Sequence, residues 1–282
     1  MTLIAFVGSV FSPYYAWALR KNPATPAENH CAINVALYGA AGRRWTMTER
    51  SAASVQRSAS AFRVGPSSLQ WDGRSLQIDL NEVGMPIPQR VRGRVRVWPR
   101  GLSTFHAPLD DGGRHRWGPI APCARVEVEL DQPGARWSGE AYLDSNEGDE
   151  PIDRPFTEWD WSRAALKDGS TAVIYDVRQK SGGERVIARR FRPDGSAEAF
   201  DAPPRQALPR SAWRIERAMR SEPGEPARVA QTLEDTPFYV RSVLDSRLFG
   251  ERVTSVHESL NLPRVVSTPV RLMLPWRMPR VR

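Results

Sequence analysis

Arg90-Val91-Arg92-Gly93-Arg94-Val95-Arg96-Val97 alternates arginine with a small or β-branched residue at every step. Successive side chains of a β-strand point to opposite faces, so this run predicts a strand with one wet, basic face and one dry face. The same period recurs where Val126, Val128 and Leu130 alternate with Arg125, Glu127 and Glu129. Leu69 and Trp71 lead through Asp72-Gly73 to Leu76, Ile78 and Leu80, which reads as a hairpin. Val173, Tyr175 and Val177 precede Gly182-Gly183, and Val186 and Ala188 return. Many short strands at regular spacing predict an all-β chain, either sandwich or barrel. Helical periodicity is scarce, and its best candidate is Ser51 to Phe62. With 24 prolines and 20 glycines, turns are abundant and long helices disfavoured.

A length of 282 residues suits two domains or one large β domain. The cluster Asp110-Asp111-Gly112-Gly113 is the best linker candidate, dividing the chain into 1–112 and 113–282. Lys plus Arg is 40 against 32 for Asp plus Glu, a net charge of +8, and lysine occurs only at 21, 167 and 180. The arginine excess reads either as solvated surface or as attraction to an anionic membrane, where each nearby basic residue contributes ~1 kcal/mol. No helix-turn-helix, zinc-finger or aromatic ribonucleoprotein signature points to nucleic acid. Two cysteines, Cys31 and Cys123, allow neither a disulfide framework nor a Cys-x-x-Cys metal site. Thr2 to Leu19 is apolar, but Gly8, Ser9, Ser12 and Pro13 interrupt it and no positive residue precedes it. It therefore reads as a buried strand followed by a Ser-Pro turn, not as a signal peptide or a membrane span. The tail from Leu272 to Arg282 is apolar and basic, which suits either interfacial attachment or a last strand with a basic end.

The chemistry concentrates in Tyr142-Leu143-Asp144-Ser145-Asn146-Glu147-Gly148-Asp149-Glu150, where an apolar run becomes a dense acidic loop. If extended, Tyr142 and Asp144 share a face, as do His115 and Trp117 upstream. Asp144 then reads either as the cap of a turn or as a carboxylic acid among aromatic faces. Glu147, Asp149, Glu150 and Asp153 lie near enough in sequence to raise its pKa. The loop nearly matches a calcium site, but Gly148 and Asp149 stand in reversed order and no closing Glu follows. We read no metal and no cofactor. Trp159 and Trp161 face the same way if extended, as core or rim aromatics.

His115-Arg116-Trp117-Gly118-Pro119-Ile120-Ala121-Pro122 and the Tyr142-to-Glu150 loop resemble the acyclic carotenoid 1,2-hydratases, also called hydroxyneurosporene synthases. The resemblance extends through Phe6-Val7-Gly8-Ser9-Val10-Phe11-Ser12-Pro13, Asn29-His30-Cys31-Ala32-Ile33-Asn34-Val35 and Trp45-Thr46-Met47-Thr48-Glu49-Arg50. It continues to Thr232-Leu233-Glu234-Asp235-Thr236-Pro237-Phe238-Tyr239 and Met273-Leu274-Pro275-Trp276. It implies two lipocalin-like (calycin) β-barrels, the first incomplete because members of the family carry a further segment before Phe6. It implies water addition to the terminal 1,2 double bond of a substrate such as neurosporene or lycopene, with Asp144, His115, Trp117 and Tyr142 as site residues. Asp144 would protonate carbon, and Trp117 and Tyr142 would offer π faces to the tertiary cation. His115 would position water, accept its proton or tune Asp144. The partners implied are an acyclic carotenoid, water and an anionic membrane surface, met peripherally on the cytoplasmic side of the inner photosynthetic membrane. The rivals are a lipocalin-like carrier of hydrophobic ligands and a polyene cyclase or isomerase on the same scaffold. A carrier has no use for a buried acid, which costs stability.

Overall fold

The computed structural model describes residues 1–39 and 42–281. Strands dominate it, with three short α-helices among the described residues. The chain forms two compact units, Met1–Pro99 with Arg125–Glu140 and Thr268–Arg282, and Arg100–Ala124 with Ala141–Ser267.

In the first unit Thr2–Val7 (β1) is followed by helix Pro13–Lys21 (α1), whose N-cap Ser12 accepts from the Tyr15 amide at 2.9 Å. The Ser-Pro pair read as a turn thus begins a helix, with Pro13 where its missing N–H costs nothing. β1 pairs with Cys31–Leu37 (β2), which also pairs with Arg44–Met47 (β3) and meets Glu49–Arg50 (β4). A meander follows through Val55–Arg57 (β5), Ala61–Val64 (β6), Ser67–Trp71 (β7), Leu76–Gly84 (β8) and Gln89–Pro99 (β9). The helix expected over Ser51 to Phe62 is absent: one 3-10 turn at Ala52–Ser54 leads into paired strands. Cross-strand pairing of Gln56 with Arg63 and Arg57 with Phe62 overrides the weak helical spacing. The decisive run behaves largely as read, with Val91, Val95 and Val97 buried, Arg90, Arg92 and Arg94 exposed and Arg96 half-buried. The Asp72-Gly73 hairpin also forms, Trp71 opposite Leu76.

The second unit opens with Ala107–Pro108 (β10) and the near ends of two long strands, His115–Gln132 (β11) and Ala135–Gly148 (β12). Phe156–Ala165 (β13), Thr171–Gln179 (β14), Glu184–Phe191 (β15), Ala197–Ala199 (β16), Arg205–Leu208 (β17) and Arg217–Arg220 (β18) follow. Arg228–Asp235 (β19), Tyr239–Leu248 (β20) and Glu251–Asn261 (β21) complete it. Seven of these form one antiparallel sheet in the order β16-β15-β14-β13-β21-β20-β19. The all-β expectation holds, while the pairing paths among the described residues are open and do not close into a barrel.

Asp110–Gly113, read as a linker, is a turn inside the second unit. The Asp110 carboxylate accepts from the amides of Arg114 and His115, both at 2.9 Å. A tight turn and a linker share the same Asp/Gly composition, so the expected boundary at 112 differs from the crossings at 99/100, 124/125, 140/141 and 267/268. After the short helix Leu262–Val265 (α2), helix Thr268–Arg277 (α3) and strand Arg280–Val281 (β22) return to the first unit. There α3 packs on α1 and β22 lies parallel to β4. The tail is thus a strand only at its last two described residues. Among the described residues no helix is long and apolar enough to cross a membrane.

Candidate active site

Asp144 lies within β12, four residues before its end, so it does not cap a turn. Strand alternation brings Tyr142 beside it, and the Tyr142 hydroxyl donates to Asp144 Oδ2 at 3.0 Å. Trp117, on β11, donates its indole N–H to the same oxygen at 2.9 Å. No described residue donates to Oδ1. When the carboxyl is neutral its proton therefore belongs on Oδ1, because Oδ2 already accepts two hydrogen bonds.

Asp144 retains partial access to solvent, yet protein encloses its carboxyl closely enough for burial to push the pKa up to about 6. The donors Trp117 and Tyr142 pull it down, Glu258 raises it, and Arg163 lowers it. Burial likewise lifts the Tyr142 hydroxyl well above the usual tyrosine range, so it donates as a neutral phenol.

The neighbouring carboxylates of the acidic loop do not produce this shift. Arg116 holds Asp149 through two bonds of 3.0 Å, and Arg114 holds Glu150 at 3.0 Å, so salt bridges neutralise the loop. The carboxylate that does act on Asp144 is Glu258 on β21, far away in sequence and fixed by Arg241 at 2.6 Å.

His115 stands apart from the other three. Its Nδ1 meets Asp110 Oδ2 at 2.6 Å, its Nε2 meets the Glu150 carbonyl at 3.1 Å, and its ring packs edge-on against Phe156 at 5.0 Å. With an acceptor against each nitrogen, the ring braces the start of β11 against the loop and has no atom left for water or for Asp144. Gly148 permits this: a Cβ there would lie 2.8 Å from His115 Cδ2. The residue that spoils the calcium pattern is the one that lets the loop close over the imidazole.

The aromatic faces are also arranged differently from the expectation. Trp117 is fully buried and meets Phe105, Tyr175 and Phe191 edge-to-face at 5.7 to 6.1 Å, so its rings are covered by protein. One side of the Tyr142 ring meets Trp161 at 5.5 Å, and the Arg163 guanidinium stands over the ring, also at 5.5 Å. Both residues address Asp144 through hydrogen bonds rather than offering open π surfaces. Trp161 and Trp159 leave the same face of β13, as expected, and Trp161 contributes more than packing. Its buried indole N–H has no partner among the described residues. A buried donor in that state normally finds a polar atom, and the Trp161 ring packs on Tyr142, whose hydroxyl bonds the carboxyl. Sequence spacing does not reveal Trp161, Arg163, Tyr175 or Glu258 as site residues, because each sits on a strand of another sheet that meets Asp144 only once the second unit has folded.

Comparison with known proteins adds a relationship to this geometry. The family described as carotenoid hydratase CrtC matches residues 3–282. An acyclic carotenoid 1,2-hydratase of Rubrivivax gelatinosus is 69% identical over 282 residues, which is 99% of this chain and 69% of the relative. One from Thiocapsa roseopersicina is 54% identical, spanning 100% of this chain and 69% of the relative. One from Cereibacter sphaeroides is 39% identical over 99% of this chain and 98% of the relative. Relatives with and without a long additional segment therefore both exist.

Proposed function

The chain belongs to the carotenoid hydratase family, whose members are hydro-lyases, and from that premise we propose that it adds water across the terminal 1,2 double bond of an acyclic carotenoid with Asp144 as proton donor. The observation that carries this reading is the doubly hydrogen-bonded Oδ2 of a carboxyl raised to about 6. An unactivated alkene accepts a proton only from a positioned acid that is neutral near its working pH.

The alkene's π electrons take the Oδ1 proton, forming a C–H bond at the less substituted carbon and leaving a tertiary cation. A water lone pair forms the C–O bond. The resulting oxonium returns a proton to the Asp144 carboxylate, so the acid is regenerated and the product is a tertiary alcohol. Charge develops on Asp144 as its proton leaves, and the Trp117 N–H and Tyr142 O–H already point at it. His115 supports the site from Asp110 and the Glu150 carbonyl rather than by proton transfer.

The test is incubation with lycopene or neurosporene, scoring a product heavier by one water. Asp144→Asn keeps the shape and removes the transferable proton, and a loss of at least a hundredfold is expected, of the order that general acids contribute. Because the protonated form acts, wild-type turnover is expected to hold below about pH 6 and to fall tenfold per unit above it. A folded Asp144→Asn protein with normal turnover would refute the assignment.

A further inference from the structure

Arg163 leaves β13 on the same face as Trp161, two residues earlier. Its guanidinium carbon lies 5.5 Å from the centre of the Tyr142 ring. Among the described residues its guanidinium has neither an ion pair nor a hydrogen bond, whereas nearby Arg241 is fixed to Glu258. A half-buried arginine without a carboxylate is costly unless something else uses its charge. Here the phenol whose hydroxyl bonds Asp144 takes that charge on its ring face.

We propose that Arg163 is a positioning residue for hydration that acts through Tyr142, strengthening the hydroxyl's donation to Asp144 and stabilising the carboxylate left when the proton moves to carbon. The inference rests on the reading of Asp144 as proton donor. A cation over a phenol ring draws electron density from it and makes the O–H a better donor. The benefit is greatest in the transition state, where Asp144 becomes negative, so it accelerates the step rather than merely tightening the ground state. Arg163 from β13 and Glu258 from β21 bias Asp144 in opposite directions. Around the same carboxyl stand Trp117 of β11, Tyr142 of its own strand and Tyr175 of β14, while Arg241 of β20 restrains Glu258.

Two readouts separate this role from a structural one. Carbon-detected NMR titration of the Asp144 carboxyl needs no substrate, and the pH profile of turnover needs no spectroscopic assignment. For Arg163→Met in the full chain, the carboxyl midpoint is expected to rise by roughly one pH unit, as is the alkaline limb of turnover. The low-pH plateau is expected to fall roughly tenfold, because a weaker acid protonates carbon more slowly. Arg163→Lys keeps the charge and is expected to stay near wild type, and in a Tyr142→Phe background the effect of Arg163→Met is expected to shrink. Arg163→Gln serves if the Met variant does not fold. An unmoved midpoint in a folded Met or Gln variant would overturn the inference while leaving Asp144 as the donor. A moved midpoint with full turnover by Asp144→Asn would uphold the coupling and overturn the donor.

Discussion

Asp144 carries a thermodynamic cost that the proposed proton donation explains. Its pKa is raised to about 6 in the folded protein and returns to the ordinary carboxylate range on unfolding. The folded state therefore binds this proton more tightly than the unfolded chain. The group's stabilising effect is complete below the unfolded pKa and is lost as pH rises to about 6. Above that, the ionised carboxylate destabilises the fold by about 2 kcal/mol after allowance for partial solvent access. Asp144→Asn is expected to melt higher than wild type at pH 8 and at the same temperature at pH 4, read by thermal unfolding. A lower melting temperature at pH 8 would contradict the burial argument. The spacing of Tyr142 and Asp144 along one strand face was readable in the sequence, because two-residue periodicity is a local property. That Trp117 donates a hydrogen bond rather than a ring face was not, because this depends on Phe105, Tyr175 and Phe191 covering the indole.

At the level of elements, β9 shows how much an alternation pattern specifies and where it stops. The buried valines and exposed arginines follow from the pattern, but Gly93 in their midst does not. Its φ is +147°, and a Cβ there would sit 2.2 Å from the Glu129 carbonyl oxygen and 2.6 Å from Leu130 Cα on β11. Gly93→Ala is expected to destabilise the first unit by about 3 kcal/mol through strain and the lost close approach, measured by denaturant unfolding. Wild-type stability would show that β11 moves aside freely. The neighbouring acidic loop teaches the same lesson, since its carboxylates read as modifiers of Asp144 but are bound by Arg114 and Arg116. Local sequence proximity placed them near Asp144, but the carboxylate that acts on it is Glu258, on a strand of a different sheet.

For the whole molecule, the chemistry of the tail depends on its being a helix. Pro269, Leu272, Met273 and Trp276 recur at helical spacing on α3 and are exposed, with Trp276 at 74%. Residues 1–27 and 262–282 together contain seven basic residues and no acidic one. An apolar stripe flanked by arginines is the composition of an interfacial helix, and the proposed substrate partitions into lipid. Co-sedimentation is expected to recover the protein with anionic vesicles at low salt, with recovery reduced at high salt. Leu272→Ser with Trp276→Ser is expected to weaken binding at least tenfold. Equal recovery in the supernatant with anionic and neutral vesicles would require a carrier to deliver the substrate.

By itself the sequence determined the strand-rich class, the hairpins with Gly turns, the family, and three residues that meet at one carboxyl. Each of these depends on neighbours two residues apart or on runs long enough to be recognised. The tertiary structure alone decided the rest. Ser51 to Phe62 became strands because pairing partners outweighed helical spacing, and Asp110 became a brace for His115 because its amide neighbours folded back on it. Arg163, Trp161 and Glu258 joined the site because β12, β13 and β21 come together in the second unit, which no local periodicity encodes. The pKa of Asp144 belongs to this second class: a carboxyl's acidity is set by what surrounds it in space, and only folding supplies those surroundings.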